Sequence, residues 1–185
     1  NQMAINGGIT IEEVDIEQRV YLDSYNLAET RAASNLIKLA YMNELGNQEK
    51  TIEQLELEED MKLSELQKKA VTMALENKMM ILTGGPGTGK TTTLSFIIKS
   101  FEQMKKKIIL CAPTGRAAKR MSQATLRPAS TIHRLLEAVY SEEADGLIFQ
   151  KDEDNPIAAD VIIVDEVSMM DVMLLDSLLL AVSED

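Results

Sequence analysis

The spacing of hydrophobic positions changes along the chain. Apolar and polar residues alternate within residues 9–22, which is the period of a short β-hairpin. From Ser24 onward the apolar positions recur at helical spacing, and Gly46 is placed to end that helix. One face of the predicted helix collects the side chains of Tyr25, Ala28, Ala32, Leu36, Leu39 and Ala40. The opening of the chain therefore predicts a small hairpin, or alternatively the tail of a domain, followed by a helix.

Two further helix starts have the spacing of a capping box, in which Ser or Thr is followed three residues later by Gln or Glu. Thr51 has this spacing and predicts an acidic helix through about Glu58. Ser64 and Gln67 repeat the spacing and predict a helix through about Asn77. A charged segment, EEDMK, separates the two predicted helices.

Beyond residue 78, short apolar runs alternate with helical patterns. Strands are predicted at 79–83, 107–112 and 161–164, and helices at about 89–104, 116–123, 131–140 and 171–182. Strands that are separated by helices predict a parallel sheet with helices on both faces. We assign residues 1–62 to a small, mostly helical N-terminal region and residues 63–185 to an α/β domain.

A glycine-rich loop lies between the first of these strands and the helix after it. Residues 84–91 fit the pattern G-x-x-x-x-G-K-[ST] at every fixed position. Glycines let backbone N–H groups approach phosphate oxygens, and the helix N-terminus favours the same anion. Lys90 would reach the β and γ phosphates of ATP, and Thr91 would offer a hydroxyl to Mg²⁺. The predicted nucleotide-binding residues of this loop are Gly85, Pro86, Gly87, Thr88, Gly89, Lys90, Thr91 and Thr92.

Two carboxylates follow the last predicted strand. Asp165 and Glu166 come directly after Val161–Val164, at the carboxyl end of a parallel strand, where open sheets bind ligands. We predict that Asp165 holds Mg²⁺ and that Glu166 orients or deprotonates the attacking water. Together with Lys90 they are the candidate catalytic residues, and a solvated sheet rim is the alternative. Ser168 stands where common GTPases carry glycine, so the sequence points to ATP.

Charge is unevenly distributed along the chain. The net charge is −11, yet residues 67–140 carry 13 basic and 3 acidic side chains, and both flanking segments are acidic. The basic segment contains the glycine-rich loop, which favours an anionic ligand there, although a solvated charged face is the alternative.

Two features bear on the compartment. The chain has no run of about 18 apolar residues and no signal-peptide pattern, so we expect a cytoplasmic protein without a membrane segment. Cys111 is the single cysteine, which excludes an internal disulfide, and its apolar neighbours predict a buried strand position.

Four segments resemble the motifs of a known family, the superfamily 1 DNA helicases. LSELQKKAV resembles the Q motif, CAPTGRAAKRM (111–121) motif Ia, STIHRLL (130–136) motif Ib and VIIVDEVSMMD (161–171) motif II. Over roughly residues 60–183 the chain is similar to the RecD/TraA branch, which includes proteins like the alpha subunit of ATP-dependent exodeoxyribonuclease V. The resemblance implies a RecA-like, P-loop fold for the main domain.

The resemblance also implies roles for individual residues. Gln67 would hydrogen-bond adenine, and its place in a capping box with Ser64 is the competing role. Motifs Ia and Ib touch single-stranded DNA in this family, and Arg116, Lys119 and Arg120 add positive charge there. As plain structure, both threonines of these motifs are helix caps and the histidine is structural. The residues implied in DNA contact are Pro113, Thr114, Arg116, Thr131 and His133.

The function implied by the resemblance is ATP-driven movement along single-stranded DNA, 5′ to 3′, in recombination and repair. Its ligands and partners would be ATP, Mg²⁺, single-stranded DNA and the subunits of an exonuclease complex. The family draws its arginine finger from a second RecA-like domain that these residues do not include. The chain's own candidates, Arg116, Arg120, Arg127 and Arg134, all fall in the DNA-side segments.

We therefore expect a part of a longer motor that binds nucleotide but hydrolyses it slowly by itself. Two alternatives remain open. One is a P-loop ATPase of another class, such as a protein remodeller, which would use the same loop and acid pair. The other is a non-catalytic binding module regulated by nucleotide, against which the retention of both Asp165 and Glu166 argues.

Overall fold

The first part of the molecule is a β-hairpin followed by a long helix. In the computed structural model, β1 (Ile9–Val14) pairs antiparallel with β2 (Glu17–Leu22), as the alternating pattern predicts, and α1 (Asp23–Tyr41) follows. The helix end predicted at Gly46 lies outside the described residues. The structure describes residues 8–15, 17–41, 49–85, 87–142 and 146–183.

Three helices flank the glycine-rich loop. They are α2 (Glu49–Glu58), α3 (Glu65–Glu76) and α4 (Lys90–Gln103). The capping box of α3 is confirmed, since Ser64 N donates to Gln67 Oε1 at 2.9 Å and Gln67 N donates to Ser64 Oγ at 3.3 Å. The capping box predicted at Thr51 is wrong, because Thr51 lies inside α2, beyond the position that a cap occupies.

Strands and helices alternate through the rest of the described chain. The elements are β3 (Ile108–Ala112), α5 (Gly115–Thr125), β4 (Ala129–Thr131), α6 (Ile132–Leu135), β5 (Val139–Ser141), β6 (Gly146–Ile148), β7 (Val161–Val164), a 3₁₀ turn (Val167–Met169) and α7 (Val172–Leu180). The helix predicted over 131–140 is too long. Glu137 has a φ of 54°, in the left-handed region, so the helix cannot continue, and β5 instead pairs antiparallel with β6.

The central sheet is parallel, with the strand order β4-β3-β7. Because side chains alternate between the two faces of a strand, neighbouring residues enter different hydrophobic clusters. Leu110 and Ile163 pack on one face with residues of α4 and α5, while Cys111 and Ile162 pack on the other with residues of α6 and α7. Helices therefore cover both faces, and the predicted α/β, RecA-like architecture is confirmed.

The strand predicted at residues 79–83 is wrong. These residues form no strand, and Ile81 is 77% exposed. An apolar run becomes a buried strand only when a neighbouring strand supplies backbone partners, and among the described residues β7 pairs with β3 alone. Only Met80 of this run packs against a hydrophobic cluster.

One hydrophobic cluster joins α2 to α3 and α4. Its buried members are Ile52, Leu55, Leu63, Val71, Leu75, Phe96, Ile97 and Phe101. Glu56 of α2 strengthens the junction by accepting from Leu63 N at 2.7 Å and Lys68 Nζ at 3.0 Å, and these two partners lower the pKa of its carboxyl. The domain boundary predicted at 62/63 therefore passes through a shared core, and it stays a prediction.

The long helix α1 packs against α7. Ala28 and Ala32 are buried on the face that the sequence predicts. Arg31 forms an ion pair with Asp176, whose side chain is only 2% exposed and whose Oδ1 has no partner among the described residues. Removal of Arg31 would leave a buried carboxylate unpaired, which is a costly arrangement. Across the described residues, no helix combines the length and the apolar character needed to cross a membrane.

We expect the Cys111 thiol to react only when the domain unfolds. Cys111 is fully buried in β3, and burial raises the pKa of its thiol to about 12, so almost no thiolate exists at pH 8. Because it is the single cysteine, a chromogenic disulfide reagent should label the native protein at its rate of unfolding and the denatured chain at once. Rapid labelling of the native protein would contradict its placement in the sheet.

Candidate nucleotide site and nucleic-acid interface

The carboxyl ends of the three parallel strands meet at one edge of the sheet. Cys111 of β3 is paired with Val164 of β7, and Ala112 is paired with Thr131 of β4. The pairing continues past β7, since Asp165 N donates to Cys111 O at 3.0 Å. The acid pair and the starts of α5 and α6 are therefore brought to the same edge, where open sheets bind ligands.

The glycine-rich loop leads directly into α4, whose first residue is Lys90. Gly87 and Gly89 have φ values of 75° and 80°, in the left-handed region that glycine adopts without strain. Lys90 Nζ donates to the carbonyl oxygens of Gly84 and Gly85, and Thr88 Oγ1 donates to Gly85 O at 2.9 Å. The loop is curled around the lysine ammonium at a helix N-terminus, the arrangement that suits a phosphate. Pro86 lies outside the described residues.

Gln67 connects α3 to this loop. Besides its two capping-box hydrogen bonds, Gln67 Nε2 donates to Gly89 O at 3.5 Å. A Cβ added at Gly89 would lie only 2.4 Å from Gln67 Nε2, so the amide is packed against the loop backbone. The structural role of Gln67 is therefore present, and its predicted contact with adenine stays a prediction.

The acid pair forms a tight turn after β7. Asp165 Oδ1 accepts a hydrogen bond from Glu166 N at 2.9 Å. Glu166 has a φ of 53°, a left-handed conformation that is unfavourable for any residue with a Cβ and that concentrates at functional sites. Thr91, Asp165 and Glu166 line one shallow pocket, together with apolar side chains of α5. The structure thus brings together the first turn of α4 and both predicted acids.

Arg120 also lines this pocket, although the sequence predicted it on the DNA side. It projects from α5, and its Nη1 lies 3.8 Å from Glu166 Oε1. Sequence reasoning counted Arg120 only among DNA-side residues, because it considered the segment and not its neighbour in space. The predicted adjacency of two strand ends was the signal that could have found it, since α5 starts beside the acid pair.

Arg127, another of the arginines in these segments, has a structural role. Its guanidinium makes a two-pronged ion pair with Glu102 of α4, and Arg127 Nη1 donates to Thr125 O at 2.6 Å. The hydrogen bonds from Arg127 lower the pKa of the Glu102 carboxyl. Arg127 thus connects the C-terminal ends of α4 and α5, and its guanidinium is occupied by these hydrogen bonds.

The residues predicted to contact DNA differ in their surroundings. Thr114 and Thr131 both cap helices, accepting from Ala117 N at 3.3 Å and Arg134 N at 3.2 Å, as their alternative reading predicts. His133 packs against Phe149, with ring centroids 5.8 Å apart. Pro113 is buried, and its predicted contact with DNA stays a prediction.

A groove runs along α5 on the side away from the acid pair. It is lined by polar and basic side chains of α5, β4 and α6, which include Lys119, Ser122, Gln123, Ser130, Thr131 and Arg134. Arg116 is exposed at the start of the same helix. Sequence reasoning predicted Thr131 but missed Ser122, Gln123 and Ser130 of this groove, because polar surface residues carry no distinctive pattern.

The sequence also matches a protein family over the residues that form these candidate sites. A family model described as "AAA domain" matches residues 67–185, which is more than half of the chain and begins at Gln67. The chain belongs to this family. Within it the sequence is of the RecD helicase type, because three relatives that are named RecD2 or RecD are 32–43% identical to it.

Three relatives illustrate the extent of the similarity. An ATP-dependent RecD2 DNA helicase of Deinococcus radiodurans is 43% identical over 120 residues, which is 65% of this chain and 16% of the relative. A RecBCD enzyme subunit RecD of Buchnera aphidicola subsp. Schizaphis graminum is 36% identical over 144 residues, 66% of this chain and 23% of the relative. A second Buchnera RecD, from subsp. Acyrthosiphon pisum, is 32% identical over 200 residues, 97% of this chain and 32% of the relative. This RecD-type chain thus spans at most about a third of these relatives.

We expect Gly89→Ala to weaken Mg-ADP binding at least tenfold. The new Cβ would meet Gln67 Nε2 at 2.4 Å, and alanine at a φ of 80° costs roughly 1–2 kcal/mol, so the loop must shift. Isothermal calorimetry measures the affinity. The control is Gly115→Ala, which has open space around its new Cβ and should leave ADP affinity unchanged.

Lys90→Ala should abolish ADP binding, because it removes the ammonium that would neutralise the phosphates. Equal ADP affinity in wild type and Lys90→Ala would refute the loop assignment.

Proposed function

We propose that this RecD-type domain binds Mg-ATP and, in the intact protein, couples ATP hydrolysis to 5′ to 3′ movement along single-stranded DNA. The observation that carries the proposal is the shared pocket of Thr91, Asp165 and Glu166, with a basic groove on the opposite side of α5. An ATPase site and a polyanion site are thus separated by one helix. The name "ATP-dependent RecD2 DNA helicase" of a 43% identical relative supports the same activity.

The nucleotide half of the proposal rests on the loop and the acids. The ammonium of Lys90 already lies at the loop carbonyls, so a side-chain rotation would carry it to the β and γ phosphates. Thr91 and Asp165 are the residues that would hold Mg²⁺, and two protein oxygens are enough because Mg²⁺ also takes phosphate and water ligands. Mg²⁺ would neutralise charge that develops on the transferred phosphoryl group. Gln67 would bind adenine from its place beside Gly89.

Glu166 is the proposed water-orienting residue. Its tight turn directs the carboxylate into the pocket that Thr91 and Asp165 also line, and its side chain is 42% exposed, so water can reach it. Hydrolysis would need the carboxylate to accept a hydrogen bond from the attacking water. In this proposal Lys90 binds the phosphates, Asp165 holds Mg²⁺, and Glu166 positions the attacking water.

The DNA half of the proposal rests on the groove. Lys119 and Thr131 line the groove, and exposed Arg116 comes directly after Gly115, which also lines it, so Arg116 and Lys119 supply positive charge there. A capping hydroxyl accepts from the helix backbone and still carries its own hydrogen, so Thr114 and Thr131 can also donate to a phosphate. Contacts of this kind follow the nucleic-acid backbone and not its sequence. The relatives named as RecBCD subunits make exonuclease-complex subunits the proposed protein partners.

Salt-dependent binding tests the groove. We expect single-stranded DNA to bind weakly, and the double variant Arg116→Ala, Lys119→Ala to bind severalfold more weakly. Loss of two phosphate contacts should also reduce the slope of log affinity against log salt by about 1.4. Fluorescence anisotropy at several salt concentrations provides both values. The control is Lys69→Ala, Lys105→Ala, which removes the same charge from exposed positions outside the groove. Equal effects of the two double variants would contradict the placement.

Turnover tests the division of labour between this chain and the rest of a motor. We propose that the chain alone hydrolyses ATP slowly, because the family's arginine finger, worth ~10³–10⁵ in rate, belongs to a second RecA-like domain. A steady-state ATPase assay with and without single-stranded DNA should compare this chain with a longer protein containing the next domain. Equal activity that Glu166→Gln removes would show that the cleft is complete here. Turnover in the longer protein that ignores DNA would favour a remodelling ATPase instead.

A further inference from the structure

Helix α5 is the shared wall of the two candidate sites. Its residues Ala117, Arg120 and Met121 face the pocket that contains Asp165 and Glu166. Its residues Gly115, Ala118 and Lys119 face the basic groove. The helix begins at its cap Thr114 and packs on the sheet through buried Met121, and it contacts both sites.

Arg120 is the charged side chain of α5 that lines the pocket of the acid pair. Arg116 and Arg120 are four residues apart, one turn along the helix, so their guanidinium groups extend from the same exposed face. Arg120 is 73% exposed, and its reach to the acid pair is a single contact of 3.8 Å to Glu166 Oε1. The contact is therefore long and accessible to a competing anion.

We propose that Arg120 is a positioning residue that restrains Glu166 until a nucleic-acid phosphate takes its guanidinium. This inference rests on the proposed function. While the ion pair is present, one oxygen of Glu166 is turned toward α5 and its charge is partly neutralised, so the carboxylate is a poorer acceptor for the attacking water. When the pair is broken, both oxygens are available to water.

Phosphate is a suitable competitor for this guanidinium. Arginine binds phosphate oxygens through two parallel N–H donors, whereas the Glu166 contact uses one nitrogen at the outer limit of an ion pair. Exposed ion pairs of this kind change an equilibrium by only about 1.5- to 5-fold, so DNA at the adjacent face can outcompete the pair. The turn of Glu166 is separately held by the hydrogen bond to Asp165, so release of Arg120 frees the side chain without unfolding the turn.

The test compares DNA-free and DNA-saturated ATP turnover in the intact motor that the proposed function implies. Arg120→Gln should raise DNA-free turnover roughly 2- to 5-fold and leave DNA-saturated turnover within twofold of wild type, so that stimulation by DNA falls. Arg120→Lys keeps the charge and should keep DNA-free turnover near the wild-type value, but without the two parallel donors of arginine it should need more DNA to reach full stimulation. Lys105→Gln removes an exposed charge from the far end of α4, away from both sites, and should change neither rate.

Salt supplies a readout that a merely structural role would not change. Screening weakens an exposed ion pair, so the difference in DNA-free turnover between wild type and Arg120→Gln should shrink as salt rises. Unchanged or lower DNA-free turnover in Arg120→Gln would overturn the proposal. A fall in both rates would instead make Arg120 a contributor of positive charge to the reaction.

Failure of the proposed function has a different signature. It would appear as wild-type turnover that DNA does not stimulate, or as turnover that survives Glu166→Gln. In the first case the DNA-free comparison of wild type with Arg120→Gln still decides whether the arginine restrains the acid. In the second case Arg120 cannot act through Glu166, and the proposed restraint is overturned as well.

Discussion

The parallel pairing of β3 with β7 determines where the acid pair and the start of α5 lie. Because the strands run in the same direction and in register, the residues that follow them emerge at one edge, and the hydrogen bond from Asp165 N to Cys111 O extends the pairing to the acid pair itself. The helix after β3 must then begin next to the acids. The same pairing buries alternating apolar side chains on two faces, so the strand that positions the site also builds both halves of the core.

The acidic N-terminal region contributes to this core through complementary charge. Glu56 pairs with Lys68 of α3, and Glu59 pairs with Lys99 of α4. Part of the negative charge before the glycine-rich loop is therefore matched by part of the positive charge after it. The charge of +10 counted between residues 67 and 140 overstates what a ligand would encounter, because some of these lysines already have partners.

The sequence predicted correctly those structural features that depend on residues close together in the chain. The capping box at Ser64, the strand Val161–Val164 and the sheet class follow from short-range spacing, and the structure confirms them. Residues 79–83 have an equally clear apolar run, but a strand needs a neighbour, which spacing cannot supply. The helix predicted over 131–140 is too long because Glu137 has a left-handed backbone conformation, which the pattern of side chains does not indicate.

The candidate site divides in the same way. The glycine-rich loop and the acid pair follow from fixed positions within a motif, whereas the contact of Arg120 with Glu166 depends on which strands are neighbours. Sequence reasoning also could not decide between two roles for Gln67, because one side chain serves the cap and touches the loop at once.

The left-handed conformation of Glu166 lowers the stability of the fold, while its carboxylate is a candidate for the chemistry. Glycine would adopt this backbone without the penalty of a Cβ, which is roughly 1–2 kcal/mol, so a search for more stable variants would favour glycine there. That variant would keep the turn and lose the carboxylate. A stabilised RecD-type domain selected only for its melting temperature would thus drift toward a protein that has lost the carboxylate proposed to orient water.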